Sequence, residues 1–311
     1  MLMEKSIAVT QITGGSHKMK GILVLSLALF FSAISLPSFG QEYALVLSGG
    51  GGKGAYQVGV WKALYEYGLA QKTSVISGTS VGGLNAALFA VADIKTIEKI
   101  WIERVPRELN RNDEAISQRG LKNIMDRISF SALREKDSPL VSVTCSRSWQ
   151  DYVGSTLDTL VQLGKSLTKK IIPLPVYFWL NGESKEEEIK KMLLATSAFP
   201  ALTSPIRLSD GELYSDGGAA DNVPVTAAIK EVSPDAIFVV HLSNWTPDLQ
   251  AGNFPGYNLI DIVPSREMRW IEGMLDFSEE WIRSNIELGY KDTISLLKRS
   301  KLFPVEDYWF Y

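Results

Sequence analysis

Four consecutive glycines, Gly49 to Gly52, stand between an apolar stretch at 43–47 and an amphipathic stretch at 55–67. The first reads as a short buried strand and the second as a helix, so the glycines, with Lys53 and Gly54, form a strand-to-helix turn. Glycines there permit φ > 0 and bring bare backbone N–H groups to a helix N-terminus, where negative charge is held. The pattern then repeats. Residues 73–77 read as a second strand, Gly78-Thr79-Ser80-Val81-Gly82 as a sharp turn, and 83–91 as a helix. Two strand–turn–helix units in succession call for an α/β layered sheet with parallel neighbours.

Downstream, 94–103 continues helical, and 106–138 is polar and irregular with a short helix at 121–128. Strands are expected at 139–145, 176–180 and 235–242, and a helix at 186–196, ended by Phe199-Pro200. Residues 206–214 read as a hairpin closed by the two-residue turn Asp210-Gly211. A helical region broken once spans 265–297, and the aromatic tail at 305–311 packs back onto the body. The segment 148–170 carries no clear pattern.

With 311 residues, 45% of them hydrophobic and 22% charged, the chain suits one large domain. We place it at 41–300, with 104–175 as a lid or insertion and 301–311 as the tail. A net charge of −3 without a long basic block argues against nucleic acid. The single cysteine, Cys145, allows no intrachain disulfide and no all-cysteine metal site, and reads as a buried, inert thiol. Lys18 and Lys20 precede an apolar run at 21–34, and Ser38 and Gly40 occupy the −3 and −1 positions of a signal-peptidase site before Gln41. That layout predicts export, to periplasm, outer membrane or medium. Residues 1–17 fit no part of such a signal, and Met19 makes a better start. Removing 1–40 takes away three Lys and one Glu, leaving 29 basic and 34 acidic residues, a net charge of −5.

The chemistry gathers at the two turns. A serine hydroxyl is a weak nucleophile and must be held exposed, near a base and beside oxyanion donors. Gly78-x-Ser80-x-Gly82 between strand and helix does the first of these, because small neighbours let the turn point Oγ outward. The glycine run is no P-loop: Leu47 stands six residues before Lys53, and Gly54 follows it. It matches the dinucleotide pattern GxGxxG at Gly49, Gly51 and Gly54, but Ser77 and Gly78 stand where an acidic residue is needed. As an oxyanion hole of Gly49, Gly50, Gly51 and Gly52, with Gly50 and Gly51 N–H as donors, it explains why a serine turn ends the neighbouring strand. For the base, His17 precedes the cleavage site, which leaves His241 or a carboxylate. Asp216, followed by Gly217 and Gly218, sits where two glycines allow close approach to another loop. Asp210 and Asp221 read as turn and loop residues. A dyad of Ser80 and Asp216 is the choice, with a triad through His241 as the alternative.

Gly-Gly-Gly-x-Lys-Gly after a first strand, Gly-x-Ser-x-Gly after a second, and Asp-Gly-Gly far downstream together resemble the patatin-like phospholipase family. Ala195-Thr196-Ser197-Ala198-Phe199-Pro200 and Asn222-Val223-Pro224 support the match, which covers roughly 43–290. The resemblance implies a bacterial, exported member with a three-layer α/β/α sandwich and a mostly parallel sheet. Ser80 would be nucleophile, Asp216 general base and the glycine run the oxyanion hole, with Lys53 fixing the loop. It implies lipid or phospholipid esters as substrates, met at a transient membrane or micelle surface, with no metal and no cofactor. A non-lipid esterase or acyltransferase with the same dyad, a nucleotide-binding protein and an inactive lipid-binding module are the rival readings.

Overall fold

The computed structural model describes residues 42–110, 117–147, 173–200, 202–244 and 254–300. The expected export signal, the segment 148–170 and the aromatic tail lie outside these residues. Strands β1 (Tyr43–Leu47), β2 (Thr73–Thr79), β3 (Leu140–Arg147), β4 (Pro175–Trp179), β5 (Ile206–Arg207), β6 (Leu213–Asp216), β7 (Ala236–Val240) and β8 (Leu259–Ile262) form one sheet. Its order is β5-β6-β3-β2-β1-β7-β8, with β4 also paired to β3. Neighbours from β3 through β2, β1 and β7 to β8 are parallel. β4 and β6 run antiparallel to β3, and β5 antiparallel to β6.

The described helices are α1 (Ala55–Glu66), α2 (Val81–Val91), α3 (Ile94–Lys99), α4 (Val105–Leu109), α5 (Gln118–Met125), α6 (Glu186–Thr196), α7 (Val225–Glu231), α8 (Trp270–Leu275) and α9 (Glu279–Ser300). Along β1, Tyr43, Leu45 and Leu47 face one way, into a core shared with α1, α2 and α9. Ala44 and Val46 face the other way, against Val225 and Ala228 of α7. Both faces are covered, which is why the strand reads as a continuous apolar run rather than an alternating one. The result is the expected α/β/α layering with a mostly parallel, mixed sheet.

Several local expectations change. The helix at 94–103 does not end before Pro106: a π-helical stretch, Ile100–Arg104, carries it into α4. Pro106 stands at the start of α4, directly after the π-helical stretch, so the break a proline ordinarily makes is taken up by a change of helix type. Within 104–175, the strand β3 lies inside the sheet, so that stretch is not simply an insertion. The hairpin turn holds three residues, not two. Leu208 N–H donates to the Glu212 carbonyl, and Gly211 takes φ 86°, the left-handed residue that a three-residue loop requires. α7 and β8 were not foreseen. β8 is an edge strand that alternates buried Ile260 and Ile262 with exposed Asp261, and four residues carry little periodicity.

Candidate active site

β2 ends at Thr79 and α2 begins at Val81, leaving Ser80 at the turn with φ 55° and ψ −126°. Among the described residues no other non-glycine has positive φ. A non-glycine residue in so sparsely populated a region costs on the order of 1–3 kcal/mol, and the surroundings hold it. Ser80 N–H donates to Thr196 Oγ1 at 3.0 Å, and its carbonyl accepts from Gly83 and Leu84 N–H. The flanking glycines are dictated by space. A Cβ on Gly78 would lie 2.2 Å from the Gly82 carbonyl oxygen, and one on Gly82 would lie 2.2 Å from that of Leu47. Ser80 is half-buried between the buried Thr79 and Val81.

Strand pairing brings the carboxylate to it. Cys145 and Ser146 pair with both β4 and β6, so those strands occupy opposite edges of β3. β6 therefore continues the edge along which β2 ran. Thr79 pairs with Thr144 and Asp216 with Cys145, one rung further on. Asp216 thus takes the place β2 vacates when the chain turns at Ser80. It is 4% exposed. Its Oδ1 accepts the Gly218 N–H at 2.7 Å, and its buried Oδ2 has no hydrogen-bond partner among the described residues. Burial pushes its pKa up to about 6, opposed by the Ser80 side chain and then by the Gly218 N–H. Gly217 lets this turn close, since a Cβ would sit 2.4 Å from the Thr144 carbonyl oxygen. Cys145 is fully buried, and burial, then the Asp216 charge, raise its thiol pKa. It is inert, as expected.

The glycine run lies across from Ser80. Gly49 N–H donates to the Asn222 carbonyl at 3.2 Å, so it is no free oxyanion donor, and the expected set narrows. Gly50 and Gly51 are half-buried and their N–H groups meet no acceptor among the described residues. Gly52 is buried beneath α8 and the loop after it, where a Cβ would lie 2.1 Å from the Asp276 carbonyl oxygen. Lys53 is 4% exposed, forms no ion pair among the described residues, and has its pKa lowered by burial. Gly54 packs on the Val81 side chain. With α8 lying on the turn, little room remains for a dinucleotide pyrophosphate.

An apolar cavity starts at Gly51 and Ser80 and runs beside α2. Val81, Leu84 and Leu88 line it at helical spacing, a depth of roughly 10 Å at 1.5 Å per residue. Trp101, Val105 and Leu109 form a second wall, and Leu121, Met125 and Phe130 a third. Sequence reasoning missed these walls. Their signal was the spacing of four between Trp101, Val105 and Leu109, which marks one helix face. His241, by contrast, does not line the cavity. It is buried, with Nε2 2.8 Å from Asp261 Oδ1 on β8.

Thr196 joins the two halves of the site, donating from Oγ1 to the Thr144 carbonyl at 2.6 Å while accepting Ser80 N–H. Thr196→Val strands both groups, and we expect a loss of about 1–3 kcal/mol. A lowered melting temperature with slower labelling of Ser80 by a fluorophosphonate would register it; unchanged values would refute it.

Residues 45–229 match the family model described as patatin-like phospholipase. The chain belongs to the patatin-like phospholipase family. It is 45% identical over 207 residues to "Patatin-like phospholipase domain-containing protein 7" of Mus musculus, covering 64% of this chain and 13% of that protein. It is 21% identical over 277 residues to "Lysophospholipase NTE1" of Pyricularia oryzae, covering 85% of this chain and 16% of that protein. This family member thus spans a small fraction of those relatives. Among solved structures it resembles VipD from Legionella pneumophila, with a TM-score of 0.51 at 15% identity over 83% of this chain and 67% of that one. That likeness concerns the fold.

Proposed function

We propose that this chain is a serine acyl hydrolase that cleaves carboxylic esters of lipids. The observation that carries the reading is a strained, half-buried serine at the mouth of an apolar cavity, beside a buried carboxylate with one free oxygen. In the first step Ser80 Oγ attacks the ester carbonyl carbon and its proton passes to Asp216 Oδ2. The N–H groups of Gly50 and Gly51 hold the oxyanion. Collapse breaks the bond to the alcohol, which takes the proton from Asp216 as it leaves. Water then attacks the acyl-enzyme with Asp216 again as base, releasing the fatty acid and restoring Ser80. A pKa of about 6 suits this role, since the carboxylate is ionised at neutral pH yet more basic than an ordinary aspartate.

The apolar cavity is suited to an acyl chain. Phe199 and Leu202, on the loop after Ser197, and Ile271 on α8 are exposed, and we assign them to contact with a membrane or micelle surface. Export with cleavage near Gln41 rests on the sequence layout alone. The test is fluorophosphonate labelling mapped by mass spectrometry, followed by turnover of one ester below and above its micellar concentration. Labelling at Ser80 and a rise in turnover on aggregates are expected. An unlabelled folded protein would overturn the mechanism, and equal turnover on both forms would overturn the interfacial part.

A further inference from the structure

A buried polar chain runs from the cavity wall to the glycine turn, and neither the proposed dyad nor the oxyanion donors use it. Trp101 Nε1–H donates to Asn85 Oδ1 at 2.9 Å. Asn85 Nδ2 donates to the Gly54 carbonyl at 3.0 Å and to Gln57 Oε1 at 2.8 Å. Gln57 Nε2 donates to the Ser48 carbonyl at 2.8 Å. Asn85 and Gln57 are 1% and 0% exposed, and Trp101 5%. Asn85 spends both amide hydrogens and its carbonyl on protein partners, so its orientation is over-determined. The two carbonyls at the end of the chain, Ser48 and Gly54, bracket the turn that carries Gly50 and Gly51.

Two features make this more than a packed core network. Trp101 and Asn85 both line the cavity, so a bound chain touches the network directly. Trp101 also stands in the π-helical stretch Ile100–Arg104, an irregularity found disproportionately at functional sites. We propose that Asn85 and Gln57 are positioning residues through which an acyl chain packed on Trp101 steadies the oxyanion turn. The inference rests on the acyl-hydrolase reading. A chain packed on the cavity-facing side of Trp101 adds to the hold on the Asn85 carboxamide, which reaches the Gly54 end of the turn directly and the Ser48 end through Gln57. Binding energy from the remote chain is then spent on the reacting centre, so a longer acyl group raises kcat rather than merely lowering KM.

Trp101→Phe removes the N–H that ties the ring to Asn85 while keeping an aromatic ring. The experiment measures kcat and KM separately on decanoyl and acetyl p-nitrophenyl esters. The ratio of the two kcat values, decanoyl over acetyl, is expected to fall about tenfold or more, with the ratio of KM values changed less than about twofold. Gln57→Leu, which leaves the wall intact, is expected to lower the same kcat ratio, and stands in should Trp101→Phe not fold. Equal loss of kcat on both esters, or a loss confined to KM, would overturn the proposal and leave the network a structural one. Failure of the wild-type protein to label at Ser80 would instead overturn the underlying hydrolase reading.

Discussion

Ser80→Ala is expected to abolish ester hydrolysis and fluorophosphonate labelling, with a loss on the order of 10⁴- to 10⁶-fold in kcat. The variant keeps the backbone bonds that hold the elbow, because Ser80 uses its N–H and carbonyl there rather than its side chain. Its melting temperature should therefore change little, separating lost chemistry from lost folding. His241→Ala provides the contrast. The imidazole is committed to Asp261 and does not line the cavity, so most of the activity should survive even if the variant is less stable. Near-total loss of turnover in a folded His241→Ala protein would replace the dyad with a triad.

Asp216→Asn is expected to lower kcat/KM by about 10²- to 10⁴-fold while making the protein more stable above neutral pH. Asparagine keeps an oxygen for the Gly218 N–H but no longer accepts a proton from Ser80. The stability gain follows from burial. Folding raises this carboxyl from an unfolded pKa near 3.9 to about 6, so the native state favours the protonated form. The wild-type protein has that contribution in full below pH ~4 and loses it as pH rises through about 6, at most about 3 kcal/mol for a shift of this size. Denaturant midpoints for the two proteins should converge in acid and separate above pH 7. The wild-type rate should carry an acid limb near pH 6, falling about tenfold per unit below it, as the base becomes protonated. An acid limb that persists in Asp216→Asn would show that another group titrates, and a gap between the two midpoints that does not change with pH would remove this carboxyl as the source of the pH dependence.

Activity and stability thus pull in opposite directions at Asp216. A carboxylate with one buried, unpartnered oxygen is costly to hold, and the cost is tolerated because the same burial raises its basicity. The strain at Ser80 has the same character: an unfavourable backbone angle kept in place by Thr196, Gly83 and Leu84.

Much of this was legible in the residues. The strands 43–47 and 73–77, the helices that follow them, and the serine turn between Gly78 and Gly82 are written in adjacent positions, where glycine spacing and apolar runs act locally. Asp216 was legible as a candidate, because the two glycines after it allow close approach to another loop. The hairpin loop was misjudged by one residue, since Asp-Gly suits both two- and three-residue turns and only strand pairing decides between them. Helix continuity past Pro106 was missed because a proline ordinarily ends a helix, and the π-helical stretch that carries the chain past it has no signature in the sequence.

By itself, then, the sequence determined which residues sit at the two sharp turns and what chemistry they are equipped for. Tertiary structure decided how they meet. β6 takes over the edge of β3 that β2 leaves, which sets Asp216 one rung beyond Thr79. The Asn222 carbonyl claims the Gly49 N–H and leaves Gly50 and Gly51 free. α2, the π-helical stretch and α5 enclose the cavity. Turn formation depends on the conformational freedom of neighbouring residues, which composition records; edge pairing, burial and cavity shape depend on groups far apart in the chain, and they take their values only when the layers pack.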